Sequence, residues 1–587
     1  MLYSVPVRMA LVPTLLLNLT VGPTILHAQQ PTAVVPSITI RTSTRLVVVD
    51  VVVTDKKGQP ITGLKPDDFT VEENGKKQKV AIFTPPGSNQ GSPQSPPSGV
   101  LSNRPEFLKP AGAPTVLVLD AANSPFKDQA YGRSQMLKYV LEQSHAGTPM
   151  AVMALTDQLR MFQNFTTDPK ILTTAIKNLQ PEQPILQPVA PLEASGSNGG
   201  DSGLHGGMAA AIAVAQNEVA NFANLTAGYD LERRTLITIE AMRSLSRMLG
   251  GLPGRKNVVW LTASLPFDLI PEDRAVSDAE LMADLPGQGR QRSVGVNAAG
   301  SQAAEQRMMH AQEIRDAETR LASANIAIYP VDLRGLVGGM ESLAAVSYAH
   351  SNDIHGAGIA NSALAQSGGL QTSQDTMREI AAETGGKVYI NENEIKEGIA
   401  LAAADDKASY SIGYYPENKK WDGKYRSIKI KVAQGDTQVR HRKGYFAVDP
   451  TQAKDANYDR DVAAALAFNA PATQISFMAQ AKPGDPGKVR VVFLVDAHTL
   501  SAEDSGGNKK MNVSLYASVY GSNGKSLGTR SIKVDRAFDA ATYQQILEKG
   551  MMVPIDLDVP SGGKELRLAV LDNKTGLIGT VSGPLGQ

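Results

Sequence analysis

From Arg45 to Thr84 the chain reads RLVVVDVVVTDKKGQPITGLKPDDFTVEENGKKQKVAIFT, short β-branched runs broken at DKKG and ENGK. Runs of this length between turn signals predict an antiparallel β module, a small sandwich or meander placed at residues 38–85. The pattern then stops. The stretch PPGSNQGSPQSPPSGVLSNRPEFLKPAGAP holds too much Pro, Ser and Gly to bury a core, so residues 86–113 are expected to form a linker.

Beyond Pro114 apolar strands and helical periodicity alternate. TVLVLD is an unbroken apolar strand, followed by helical spacing through Tyr131, Met136, Leu137, Val140 and Leu141. MAVMALT and LRMFQNFT, joined by the short DQ turn, predict a hairpin with one antiparallel edge strand. DPKILTTAIKNL starts with an N-cap aspartate and a proline at the first helical position. LERRTLITIEAMRSLSRMLGGL leads through a Gly-Pro-Gly stop to NVVWLT; later helices feed IAIYPVD and KVYI. Six strands with intervening helices predict a doubly wound α/β sheet over 114–448, with insertions near 181–228, 268–304 and 335–370. The period-two segment from Ala408 to Val448 is expected on the edge of that sheet. Residues 472–585 return to short alternating strands, the pattern of a second β-sandwich of roughly immunoglobulin size. The expected fold class is therefore α/β: a doubly wound central domain flanked by two small β-sandwich domains.

Composition narrows the chemistry. With 58 basic and 58 acidic side chains among 587 residues, no net field draws the chain to nucleic acid. The absence of cysteine excludes disulfides, thiolate metal sites and a cysteine nucleophile, so any metal must be held by oxygen or imidazole. Arg8, the apolar run MALVPTLLLNLTVG and the small residues before Gln29 predict an export signal over 1–28. No transmembrane segment is expected in the mature chain, and the expected location is periplasmic or secreted.

Ligands of open α/β sheets bind at the carboxyl ends of the strands, where Asp120 stands with Asn123 and Ser124 behind it. A carboxylate among hydroxyls is a hard-oxygen set suited to Mg2+ or Mn2+. The competing reading is a carboxylate that caps its own loop by accepting backbone N–H groups.

Together LVLDAANS, GRKNVVWLTASLP, IAIYPVDLRG and YYPENKKWDGKYRSIKIKV with VRHRKGYFA resemble the von Willebrand factor type A (VWA) fold, and more narrowly the VWFA-related proteins of the acidobacterial type. The leading VDVVVTDKKGQPITGLKPDDFTVEENGKKQ is similar to that family's first module. The resemblance implies a Rossmann-type sheet and a metal-ion-dependent adhesion site of the form Asp-x-Ser-x-Ser, plus a threonine and a second aspartate. Asp120 and Ser124 match the outer positions of the motif, Ala122 replaces the middle serine, and Ala263 stands where the second acid is expected. Thr235 is the candidate threonine, with Thr226 and Thr238 as alternatives; Asp268 or Asp332 are the remaining acids able to complete a set. The implied site is a degenerate one.

Other motifs favour bland readings. YGSNGKSLG (520–528) has a glycine too close to Lys525 for a phosphate loop and predicts a hairpin turn. HSNDIH (350–355) offers too few converging ligands for a metal, RHRKGYF suits a solvated sheet face, and GRKN suits a turn. No Gly-x-Ser-x-Gly elbow is present. The expected function is exported, non-enzymatic binding, adhesion or scaffolding, with a protein or cell-surface ligand taken at the carboxyl-end face of the sheet. The alternatives are a hydrolase with an insertion-formed lid and a structural envelope protein whose site is vestigial.

Overall fold

The structure, a computed structural model, describes residues 46–88, 95–108, 114–143, 148–180, 206–266, 310, 313–335, 373–392, 394–449 and 458–585. The expected signal at 1–28, the HSNDIH motif and Asp268 lie outside the described residues.

In the central sheet the strands run in the order Ile326–Asp332, Lys256–Thr262, Thr115–Asp120, Met150–Leu155, Leu159–Thr166. The first four are parallel, and the last is antiparallel to its neighbour, as the short DQ turn requires. The earliest of these strands lies in the middle, the arrangement of a doubly wound sheet. All residues of the four parallel strands are buried, because helices cover both faces. One face packs Val116, Val118, Val258 and Trp260 against Met242 and Leu245 of the helix Gly206–Leu249, Ile314 and Leu321 of helical residues 313–323, and Met377 and Ile380 of 373–384. The other packs Leu117, Leu119, Val259 and Leu261 against the helices Phe126–Gln143, Pro169–Asn178 and Ile395–Ala404. The sixth strand expected at KVYI is reduced to a single bridge between Tyr389 and Val331.

The helix Gly206–Leu249 spans 44 residues and takes in much of the segment expected as an insertion at 181–228. Its first half is rich in alanine, which has the highest helix propensity but gives no apolar periodicity to read.

The segment expected on the edge of the central sheet pairs elsewhere. Val47–Asp55 pairs antiparallel with Ser409–Tyr414 and Thr437–Arg440, and Phe69–Glu73 pairs with Tyr425–Val432. The two resulting four-stranded sheets share one core of Val49, Val51, Phe69, Val71, Tyr410, Ile412, Ile428 and Ile430. Chain from either side of the central domain is therefore needed to complete this first β unit. The ENGK turn takes positive φ at both Asn74 and Gly75, with Glu73 opposite Lys76, as a tight two-residue hairpin demands.

A similar exchange occurs at the other end. Val100–Ser102, inside the expected linker, is a strand paired with Phe477–Pro483, and Asn103 is fully buried beside it. Two antiparallel sheets then enclose Phe477, Phe493, Val513, Leu515, Leu566 and Leu568. YGSNGKSLG is the turn of the hairpin between Asn508–Gly521 and Ser526–Phe538, as expected.

Of the basic motifs, GRKN buries Arg255, Lys256 and Asn257, and RHRKGYF, expected on a solvated sheet face, buries Arg442 and Tyr445 while Lys443 stays exposed and Arg440 and His441 are half-buried. Arg255 donates to Asn257 Oδ1 at 3.1 Å, to the Tyr329 hydroxyl at 2.9 Å and to the Gly385 carbonyl at 2.7 Å. Tyr329 in turn bonds Asp405, which Arg440 of RHRKGYF grips through both oxygens. Arg442 is 9% exposed and donates to the Val48 carbonyl. These side chains meet where the amino-terminal ends of the central strands abut the first β unit, where Arg440 is ion-paired with Asp405 and Arg255 and Arg442 donate to neutral acceptors.

Candidate functional site

Asp120 ends the central strand, and strand alternation aims its side chain to the same face as Val116 and Val118, toward the helix Gly206–Leu249. Its carboxylate is fully buried. Oδ1 accepts from the backbone N–H of Asn123 at 3.0 Å and from Asn123 Nδ2 at 3.2 Å. Oδ2 accepts from Asn123 Nδ2 at 3.0 Å and from the Trp260 indole at 2.9 Å. Burial pushes the Asp120 carboxyl above its ordinary value, against the opposing hydrogen bonds of Trp260 and Asn123. Charge on this group is thus discouraged by its surroundings.

Two loops should diverge here, since the helix after the Asp120 strand packs on one face and the helical residues 313–323 after the Trp260 strand pack on the other. Instead they are stitched together. Ser124 Oγ accepts from the Ala263 N–H at 2.9 Å, and Ser264 Oγ donates to the Asn123 carbonyl at 3.1 Å. Gln129 reaches back to the Ala121 and Ser124 carbonyls, and the N–H groups of Ala121 and Ala122 both bond the Leu155 carbonyl. Residues 120–124 are all buried, so the expected ligand-binding trio of Asp120, Asn123 and Ser124 is internal to the fold.

Thr235 does not join them. Its hydroxyl donates to the Leu231 and Pro266 carbonyls, whereas Thr238 is the threonine bonded to this loop, through Asn123 Nδ2 at 3.0 Å. Asp332, the acid at the end of the outer parallel strand, is clamped by Arg334 at 2.8 Å through both oxygens and by Gln374 at 3.3 Å. Burial also raises the carboxyl of nearby Asp128.

A divalent cation needs converging lone pairs, and anionic ones above all. Both Asp120 oxygens already face N–H donors, Ser124 accepts a backbone N–H, and Thr235 is directed to carbonyls. The set of Asp120, Ser124 and Thr235 therefore does not fit Mg2+ or Mn2+, and among the described residues no group of three His, Asp or Glu side chains is placed to hold a metal. The loop-capping role is what Asp120 performs. Positive charge comes instead from Arg234, whose guanidinium burial holds below its ordinary value against the pull of Asp120 and Asp230.

Trp260 was the decisive residue that motif reading passed over. A tryptophan inside an otherwise aliphatic buried strand must find an acceptor for its indole N–H, and two residues from the strand's end an aspartate on the adjacent strand is the natural one.

No family model matches the chain, and no curated protein matches it. Among solved structures, it is similar to an aerotolerance-related membrane protein of Bacteroides fragilis, determined with multiple mutations to serine, at 12% identity over 50% of this chain and 100% of that one, with a TM-score of 0.24. A von Willebrand factor type A protein of Catenulispora acidiphila is 9% identical over 93% of this chain and 75% of that one, with a TM-score of 0.20. An endonuclease/exonuclease/phosphatase of Beutenbergia cavernae gives 10% identity over 31% and 39%, with a TM-score of 0.12. Likenesses of this size carry no activity to the present chain.

Proposed function

We propose that the protein is an exported, non-enzymatic scaffold of VWA-like build whose crevice at the sheet's carboxyl end is vestigial. The observation that carries this reading is the pair of cross-loop hydrogen bonds, Ser124 to Ala263 and Ser264 to Asn123, closing the place where doubly wound sheets bind ligands. A group sealed in this way holds loops together and does not meet substrate or cation. The interleaved chain supports a scaffold role, because each β unit is completed by strands from outside its own segment, which ties distant stretches of the chain together. Recognition of a protein or cell-surface ligand then falls to surfaces away from Asp120.

The test is capture of a partner from envelope extract by the full chain, run in Mg2+ and in a chelator, beside a broad hydrolase screen. Equal capture under both conditions and no turnover are expected. Capture that fails in the chelator, or turnover lost in Asp120→Asn, would overturn the proposal.

A further inference from the structure

Where the first β unit meets the amino-terminal ends of the central strands there is a cavity of about 10 Å3, room for one water-sized group. Asp50 and Arg442 of the β unit line it, with Arg255, Ile326 and Thr384 of the central domain. Asp50, Arg255 and Arg442 are each at least nine-tenths buried, as is Lys256 beside them. The hydrogen bonds of the three cations go to uncharged acceptors: Arg255 to Asn257, Tyr329 and Gly385, Lys256 to the Leu252 carbonyl at 2.9 Å, and Arg442 to the Val48 carbonyl at 2.9 Å. The Arg442 Nε atom is enclosed and meets no acceptor among the described residues. Thr384 cannot serve it, because its hydroxyl already accepts from the Ile328 N–H and donates to the Ile380 carbonyl.

Asp50 is the carboxylate whose charge acts on Arg255, Lys256 and Arg442 alike. Asp405 also acts on Arg255, but Arg440 already grips it. Burial pulls the Lys256 ammonium down to about 8, so at pH 7 it still carries most of its charge. Three buried cations thus share one carboxylate, and an excess of buried charge is costly unless a counterion joins it. The room available admits a monatomic anion and excludes sulfate, phosphate or a carboxylate. We propose that this cavity is a halide site that takes chloride, with the Arg442 guanidinium as its principal donor, and that the anion ties the first β unit to the central sheet.

The experiment follows thermal unfolding of the full chain at neutral pH and constant ionic strength while chloride replaces gluconate, an anion too large for the cavity. The wild-type midpoint is expected to rise with chloride, by linkage to a site that only the folded chain possesses. Arg442→Met should abolish that rise. Asp50→Asn removes the competing negative charge and should give the same rise at about tenfold lower chloride. A second reading needs no variant: wild-type crystals grown in chloride, measured at a long wavelength where chloride scatters anomalously, should show an anomalous peak beside the Arg442 guanidinium. Equal wild-type midpoints in chloride and gluconate, or a cavity holding only a water with no anomalous signal, would overturn the site. So would a chloride-dependent rise that Arg442→Met retains in full, since the anion would then be bound elsewhere.

Discussion

Replacing Asp120 tests whether its carboxylate is spent inside the fold. In Asp120→Ala the Trp260 indole N–H and the Asn123 backbone N–H lose their acceptor, while Asn123 Nδ2 keeps Thr238. A buried donor left unpaired costs about 1–3 kcal/mol, and relief from burying a carboxylate offsets part of the total, so a net loss of about 2–4 kcal/mol is expected. Asp120→Asn keeps one acceptor oxygen but turns an N–H2 toward existing donors, for a loss of about 1–3 kcal/mol.

The chain supplies its own reporter, having two tryptophans, of which Trp260 is buried against Asp120. With Trp421→Phe as the parent, urea unfolding followed by Trp260 emission reads the central sheet alone, and the midpoint shift at constant slope gives the loss. Because burial raises the Asp120 carboxyl, its contribution is greatest below the ordinary value of 3.8 and declines as pH rises through the folded value; the parent's lead over Asp120→Asn should narrow in the same direction. Mg2+ should leave every midpoint unchanged beyond the general effect of salt. An Asp120→Ala midpoint equal to the parent's, or a Mg2+-dependent rise present in the parent and absent from Asp120→Asn, would refute the reasoning.

Arg426 and Glu73, both nearly inaccessible, form an ion pair in the first β unit, with Arg426 also bonded to the Asn418 and Lys420 carbonyls and set against the Trp421 and Tyr445 rings. Arg426→Met should cost about 3–5 kcal/mol by stranding Glu73, and adding Glu73→Gln should recover much of it in thermal unfolding followed by circular dichroism. Asn103→Ala leaves the Ile475 carbonyl and the Phe477 N–H without their partner, while the Ala472 carbonyl keeps the Thr580 N–H, an expected loss of about 2–3 kcal/mol, and should speed proteolytic cleavage between residues 86 and 113.

The parallel strands of the central sheet were legible because both-face burial writes itself as unbroken apolar runs, TVLVLD and NVVWLT among them. The DQ hairpin and the ENGK turn were legible for a local reason as well: turn chemistry is decided within a few residues. Partners of strands are not local. The alternation in Tyr425–Val432 marks a half-buried strand, yet nothing in it says that Phe69–Glu73, some 350 positions earlier, is its neighbour. The same holds for Val100–Ser102, whose three residues are too few to show a period beside so much proline and serine.

Asp120 shows a subtler limit. Its position at a strand's carboxyl end was readable, but whether such an acid is presented or consumed depends on the donors that surround it. Those donors come from Trp260 on the neighbouring strand and from Asn123, itself held by Thr238 on the long helix. A motif comparison counts the oxygen ligands that are missing, Ala122 and Ala263 here, and stops at a weaker metal site. The physical consequence is larger. Once anionic partners and cation are gone, a buried carboxylate must be neutralised or hydrogen-bonded, so neighbouring positions that supply N–H groups come to define the site's new role. The tryptophan is therefore as much a mark of the lost crevice as either alanine.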